Sequence, residues 1–293
     1  IILKFSKKKK NMRNKIIVYF LFSICFSSFA QVQLSPSANE ADRIIKATKK
    51  DTIDICKLRV HYRMEYIKNI EEPAKKTHYY MLLQIGKNSS KFSDFARLTA
   101  DSLIEVYAKQ KKREAQCFNK ILPYYQGTSP LNVFKNYPAG KITVIDRASY
   151  AGYFKYSEDN IKLNWEMQQG TTKICGYSCK KATTSFRGRN YAAWYAPNLA
   201  YSDGPWKFSG LPGLILKVTD DKNEYSFECV VIEKAKPREY LYIKNEDFFN
   251  TTREKFNETD KKVNGNPTPY LEMRGIKQPL KNKKRPYNPI ELQ

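Results

Sequence analysis

An α+β fold, built as a curved and mainly antiparallel β-sheet with one or two helices, is what this sequence predicts. Three observations carry the prediction. Residues 56–66 alternate strictly between apolar and polar, short β-like runs follow one another at hairpin spacing after Pro130, and the chain holds 21 Tyr and 16 Phe. Half-buried pleated surfaces suit aromatic side chains. Consecutive strands without helices between them argue against βαβ units.

The elements follow in chain order. Residues 1–11 are Lys-rich and unpatterned and read as an untranslated or non-native lead, with Met12 as the expected start. Arg13 and Lys15 precede an apolar run over residues 16–26, and Ser28-Phe29-Ala30 then places small residues before Gln31. That is the pattern of a secretory signal over residues 12–30. Its apolar run stops well short of the ~20 residues a membrane span needs. Residues 31–52 are polar and read as a flexible lead-in to a domain over 53–263.

Cys56, Leu58, Val60, Tyr62, Met64 and Tyr66 share one face of a long strand, with Lys57, Arg59, His61, Arg63 and Glu65 on the other. Glu71-Glu72-Pro73 ends this region, and residues 79–85 and 91–95 give two more strands around a turn at 86–90. Residues 101–118 read as a helix capped by Asp101, with the basic run 109–113 on its solvated face. Further strands fall at 141–146, 150–156, 163–167, 174–186, 190–196, 214–219 and 225–233, the last two joined by a hairpin loop at Asp220–Asn223. A second helix fits 246–257, capped by Asn245. Residues 264–293 form a basic, Pro-rich tail, either solvated, folded back on its own sheet, or adding a strand to a partner's sheet edge.

Removing residues 1–30 takes seven basic residues and no acids from the formal charge of +23, leaving +16. The positives are spread along the chain rather than clustered with aromatics, which argues for a Lys-rich solvated surface and against nucleic acid. Five cysteines remain, Cys56, Cys117, Cys175, Cys179 and Cys229, and an odd number leaves one unpaired in a monomer. On a single strand Cys175 and Cys179 would sit about 13 Å apart and could not bridge each other. Either could pair with Cys229 in an oxidising compartment.

Gly210-Leu211-Pro212-Gly213 has a type II turn signature, with Gly213 supplying positive φ ahead of a strand starting Leu214-Ile215. The loop lacks the Lys-Ser/Thr of a phosphate cradle. Arg189 with Trp194, Tyr195 and Trp206 could form a cation–aromatic surface for an anionic or carbohydrate ligand, structural stacking being the competing reading. His61 and His78 are the only histidines, and neither lies near an acid-rich or Cys-rich cluster. No catalytic residue, metal ligand or cofactor motif stands out, and no segment singles out the carboxylate pair that glycan hydrolysis uses.

One stretch is more specific than the rest. Trp165, Gly176-Tyr177-Ser178-Cys179-Lys180-Lys181-Ala182, Gly188-Arg189-Asn190-Tyr191, Ala193-Trp194-Tyr195, Gly204-Pro205-Trp206-Lys207-Phe208 and Gly210-Leu211-Pro212-Gly213-Leu214-Ile215 with Asp220 resemble the GLPGLI family of exported Bacteroidota proteins. Leu83–Lys87, Ser90–Phe92 and the terminal Tyr287–Leu292 extend the resemblance over most of the exported chain. It implies export to the periplasm or outer-membrane periphery, no assigned catalytic residues, and often a genomic neighbourhood of outer-membrane TonB-linked receptors, with such a receptor or another envelope protein as the expected partner. The expected function is a non-enzymatic binding or accessory module for an envelope receptor or transporter, membrane-proximal without spanning. An envelope enzyme acting on peptide or glycan, and a carrier of an apolar ligand, are the alternatives.

Overall fold

The computed structural model describes residues 43–273 and 285–292. The alternating segment becomes β2, Leu58–Ile67, whose Val60, Tyr62 and Met64 face the main core. On one side of it lie β3 (Lys76–Ile85), β4 (Ser90–Asp94), β5 (Asn132–Lys135), β6 (Lys141–Ala148) and β7 (Gly152–Asp159). On the other lie β12 (Tyr225–Lys234), β11 (Leu214–Asp220), β10 (Arg189–Ala196), β9 (Tyr177–Phe186) and β8 (Glu166–Ile174). With β14 (Phe249–Asn250) added parallel to β7, they make one twelve-stranded sheet, antiparallel at every other pairing. A separate ribbon pairs β1 (Lys50–Ile55) with β13 (Tyr240–Lys244). The fold is α+β.

The sheet curls until its halves face each other. Arg187, between β9 and β10, reaches Glu158 on β7 at 2.8 Å, and the loop 197–213 fills the space between. That loop is the apolar stretch prominent in the sequence: Trp206 is 2% exposed, Phe208 and Leu211 0%. Lys135 on β5 secures it from the far wall, its Nζ donating to the Gly204 carbonyl at 2.6 Å and the Phe208 carbonyl at 3.3 Å. A smaller core of Phe134, Ile145 and Ile243 forms on the sheet's outer face. A third joins helices α1 (Phe95–Lys109) and α2 (Glu114–Ile121).

Several elements differ from expectation, each for a local reason. The helix expected over 101–118 is two helices, parted where Lys111 takes a left-handed φ of 51°. Its cap is Asp94, which accepts from the Ala96 and Arg97 amides, while Asp101 is buried and bound to Tyr242 and Lys244. The helix expected at 246–257 is replaced by β14 and by α3 (Arg253–Gly265), whose cap is the Thr252 hydroxyl. A short helix α4 (Thr268–Glu272) follows.

The run 174–186 is interrupted by Cys175 and Gly176, both at positive φ, which form the tight turn between β8 and β9. Cys175 and Cys179 therefore do not share a strand. The turn carries the Cys175 Sγ to 3.4 Å from the Cys229 Sγ, and all five described cysteines are free thiols. The Gly213 amide donates to the Leu211 carbonyl at 2.8 Å, so Pro212 centres a three-residue turn rather than a type II turn. Gly213 has φ 146°, and a Cβ there would lie 2.3 Å from the Ala196 carbonyl oxygen.

The tail also divides. Its first residues complete α3 and α4, and residues 285–292 fold back on the sheet, with the Arg285 amide on the Asn264 carbonyl and the Leu292 amide on the Arg187 carbonyl. The lead and signal over residues 1–30 lie outside the described residues. Among the described residues no helix is long and apolar enough to cross a membrane.

Candidate functional site

On β6 the residues Ile142, Val144 and Ala148 face the main core, and Asp146 occupies the same face between the last two. An acid thus stands where the strand's alternation calls for an apolar side chain. It opens into a cleft of about 360 Å³ bounded by β2, β6, β7, β12, α3 and the C-terminal segment. Across this cleft α3 presents Asp260. The Asp260 charge adds to the cost of ionising Asp146.

Burial is the main cause that pushes the Asp146 carboxyl up to about 7, with Asp260 adding to it and the Arg147 amide, Arg97 and Arg147 opposing. The Arg147 amide donates to Asp146 Oδ1 at 2.7 Å, and no described cation forms an ion pair with Asp146. Burial likewise raises Asp260 to about 6, against the Asn264 amide at 3.1 Å and the charges of Arg285 and Lys68. Both acids are held near the pH at which they can exchange a proton.

The cleft floor is aromatic. Tyr66 stacks on Tyr225 with centroids 5.4 Å apart and planes 16° apart, and on Tyr79 at 5.8 Å and 27°. Tyr156, Trp206 and Phe256 form the adjoining wall. Tyr66 lies between its two stacking partners, so the row offers ring edges with polar tips to the cleft rather than an open ring face.

The C-terminal segment supplies the remaining wall and is bolted down. Arg189, 4% exposed, pairs with Asp220 at 2.8 Å and Glu224 at 2.6 Å on one side. On the other it donates to Asn288 Oδ1 and the carbonyls of Pro289 and Ile290, at 2.7, 2.8 and 3.1 Å. Its guanidinium lies 4.9 Å from the Tyr225 ring centre. Lys207 joins Glu158 at 2.5 Å and also Glu291, which Arg253 reaches at 3.1 Å.

The residues expected to form one ligand surface do not meet. Arg189 lies over Tyr225, not over Trp194 or Tyr195. Trp194 and Tyr195, being consecutive on β10, point to opposite faces, the first half-buried beneath Lys181 and the second buried with its hydroxyl on Met167 Sδ at 3.5 Å. Trp206 lines the inner wall of the acid cleft. Gly210 turns at φ 94°, and Leu211, Pro212 and Gly213 lead into the buried Leu214 and Ile215. Among the described residues no group of three His, Cys, Asp or Glu side chains could hold a metal ion.

Larger depressions occur elsewhere, and in two of them an acid on the wall is held in an ion pair. Asp203, in one of about 560 Å³, is paired with Lys135, and Asp220, in one of about 650 Å³, with Arg189. Asp146 and Asp260 were not singled out in the sequence. The available signal was the inward acid in the run Ile142-Thr143-Val144-Ile145-Asp146.

The family described as N-glycanase peptide, N-terminal domain, matches residues 151–255. This covers less than half the chain; it includes Tyr156, Trp206 and Tyr225, while Asp146 and Asp260 lie beyond its two ends. Two solved structures of PNGF-II, in space groups P21 and C2, are similar at TM-score 0.45, with 15% and 14% identity. They cover 70% of this chain, which spans about a third of their own length, 33% and 32%. Among curated proteins no sequence matches. The resemblance to the GLPGLI family is corrected by the family match, which is to an N-glycanase domain. The reading as a non-enzymatic accessory module falls with it, because the matched family is named for an enzyme.

Proposed function

We propose that this chain is an exported protein that acts hydrolytically on a glycan-bearing peptide, with the Asp146–Asp260 cleft as its site. The observation that carries the reading is a pair of carboxyls lining one cleft, raised to about 7 and about 6, beside three stacked tyrosines. The match to an N-glycanase domain supports the choice of substrate. The signal-like segment over residues 12–30 supports export, with the periplasm or outer-membrane periphery as the place of action.

The chemistry follows from the difference between the two acids. Between pH 6 and 7 Asp146 keeps its proton for longer and Asp260 is the more ionised. Asp260 takes a proton from water as its oxygen attacks the anomeric or acyl carbon. Asp146 gives its proton to the departing oxygen or nitrogen. Each transfer of this kind is worth about 10²–10⁴ in rate. The tyrosine stack holds the sugar ring while the C-terminal segment fixes the far side of the cleft.

The test is mass spectrometry of defined glycopeptides incubated with the protein. Product should form with a bell-shaped pH profile whose limbs fall near 6 and 7. Asp146→Asn should remove turnover and leave the melting temperature no lower. Intact glycopeptide at every pH, from protein shown to be folded, would end the hydrolytic reading.

A further inference from the structure

Asp260 has two basic neighbours at the rim of the cleft, Lys68 just after β2 and Arg285 at the start of the C-terminal segment. Neither forms an ion pair with a described residue. Arg285 donates to the Ser149 hydroxyl at 3.2 Å and lies 5.4 Å from the Tyr150 ring centre, so its guanidinium is held in place by neutral groups. Lys68 is exposed, and its ammonium is made less favourable by burial of its stem and by the nearby Arg285. Two like charges are therefore kept together, with the single carboxyl of Asp260 beside them. Arg147, exposed on β6, adds a third positive charge to the same cleft.

This contrasts with the chain's buried cations. Arg189 and Lys207 each meet two carboxylates. A folded chain ordinarily spreads or pairs unlike charges, because like charges held side by side repel. Here the fold leaves a positive pair beside the aromatic floor. The remaining charged groups facing the cleft are Asp146, held largely protonated below pH 7, and Glu291, already bound by Lys207 and Arg253.

Resting on the reading of the cleft as a glycan site, we infer that Lys68 and Arg285 form a seat for an anionic group on the sugar and make the cleft selective for acidic glycans. A guanidinium and an ammonium can share a carboxylate or a sulfate ester through charge-assisted hydrogen bonds. The sugar would lie against the edges of Tyr66 and its neighbours, with its acidic substituent toward the rim.

The experiment compares three forms of one glycopeptide by calorimetry: with sugar carboxylates at its termini, with those sugars removed, and with sulfate esters instead. The full-length protein should bind the carboxylate form about tenfold more tightly than the neutral one, roughly the worth of one hydrogen bond to a charged group. That ratio should shrink as salt is raised. Lys68→Met and Arg285→Gln should each lower the ratio, and the double variant should bring it to one. The sulfated form separates general anion recognition, where it binds as tightly, from recognition of a carboxylate. Equal binding of acidic and neutral forms by the unaltered protein would overturn the seat alone. Binding of none of them would overturn the seat together with the glycan reading.

Discussion

Two clusters of charge lie within one core of this protein and are built in opposite ways. Around Arg189 and Lys207 every charge is answered. Asp220 and Glu224 meet Arg189, Glu158 and Glu291 meet Lys207, and three carbonyl or amide oxygens of the C-terminal segment complete the guanidinium's donors. Around Asp146 and Asp260 no ion pair forms with a described residue, and burial raises both carboxyls above the usual range, to about 7 and about 6. Saturated charges hold the chain to itself. Unsaturated ones are a cost to folding, and their presence in an aromatic cleft is what the proposed catalytic reading rests on.

Substitutions should therefore act with opposite sign in the two clusters. The largest effect is expected at Arg189→Leu, which leaves the buried Asp220 and the half-buried Glu224 without their cation and frees residues 288–290. Denaturant unfolding should show a loss of about 3–5 kcal/mol, the usual consequence of removing one partner of a buried ion pair. An effect below about 1 kcal/mol would mean that the C-terminal segment is not clamped as described.

The sulfur pair tests how sharply the sheet curls. Cys175 and Cys229 lie at 3.4 Å although β9, β10 and β11 separate their places in the sheet order. Mild thiol–disulfide oxidants should link these two and leave Cys179 free, as peptide mapping would show. The closed loop should add about 2–4 kcal/mol to stability. A Cys179–Cys229 link would contradict the position of the β8–β9 turn.

The acid pair should give the smallest stability change and the reverse sign. Each carboxyl binds its proton more tightly folded than at its unfolded value of 3.8. Its favourable contribution is thus complete below about pH 4 and is lost as pH rises to about 6 for Asp260 and about 7 for Asp146. At pH 8, Asp146→Asn or Asp260→Asn should stabilise the protein by about 1–2 kcal/mol, discounted for partial contact with water. At pH 4 neither should gain. Destabilisation at pH 8 would mean that these carboxylates have partners and belong with the saturated cluster.

The sheet was legible wherever one face is buried, because alternation over residues 56–66 or 225–233 reports that burial directly. It was not legible in β1, whose sequence Lys-Asp-Thr-Ile-Asp-Ile is mostly polar, nor in the four residues of β5. The first helix was placed late because its cap, Asp94, ends a strand and leaves no break to read. Arg189 was visible as a cation among aromatics, but its partners at 288–290 are about a hundred residues away, and pattern cannot supply such contacts. Asp146 was read as the end of its strand, when the strand continues to Ala148 and holds it half-buried on the core face. Asp260 lay beyond the helix expected at 246–257 and became visible only with the full length of α3.

The most direct measurement is a carbon-13 NMR titration of the aspartate carboxyls, with Asp146→Asn and Asp260→Asn used for assignment. Two resonances should titrate near 7 and near 6, and removing Asp260 should lower the midpoint of Asp146. Midpoints near 4 for both, indifferent to each other's removal, would mean that the cleft holds two ordinary surface acids and no catalytic pair.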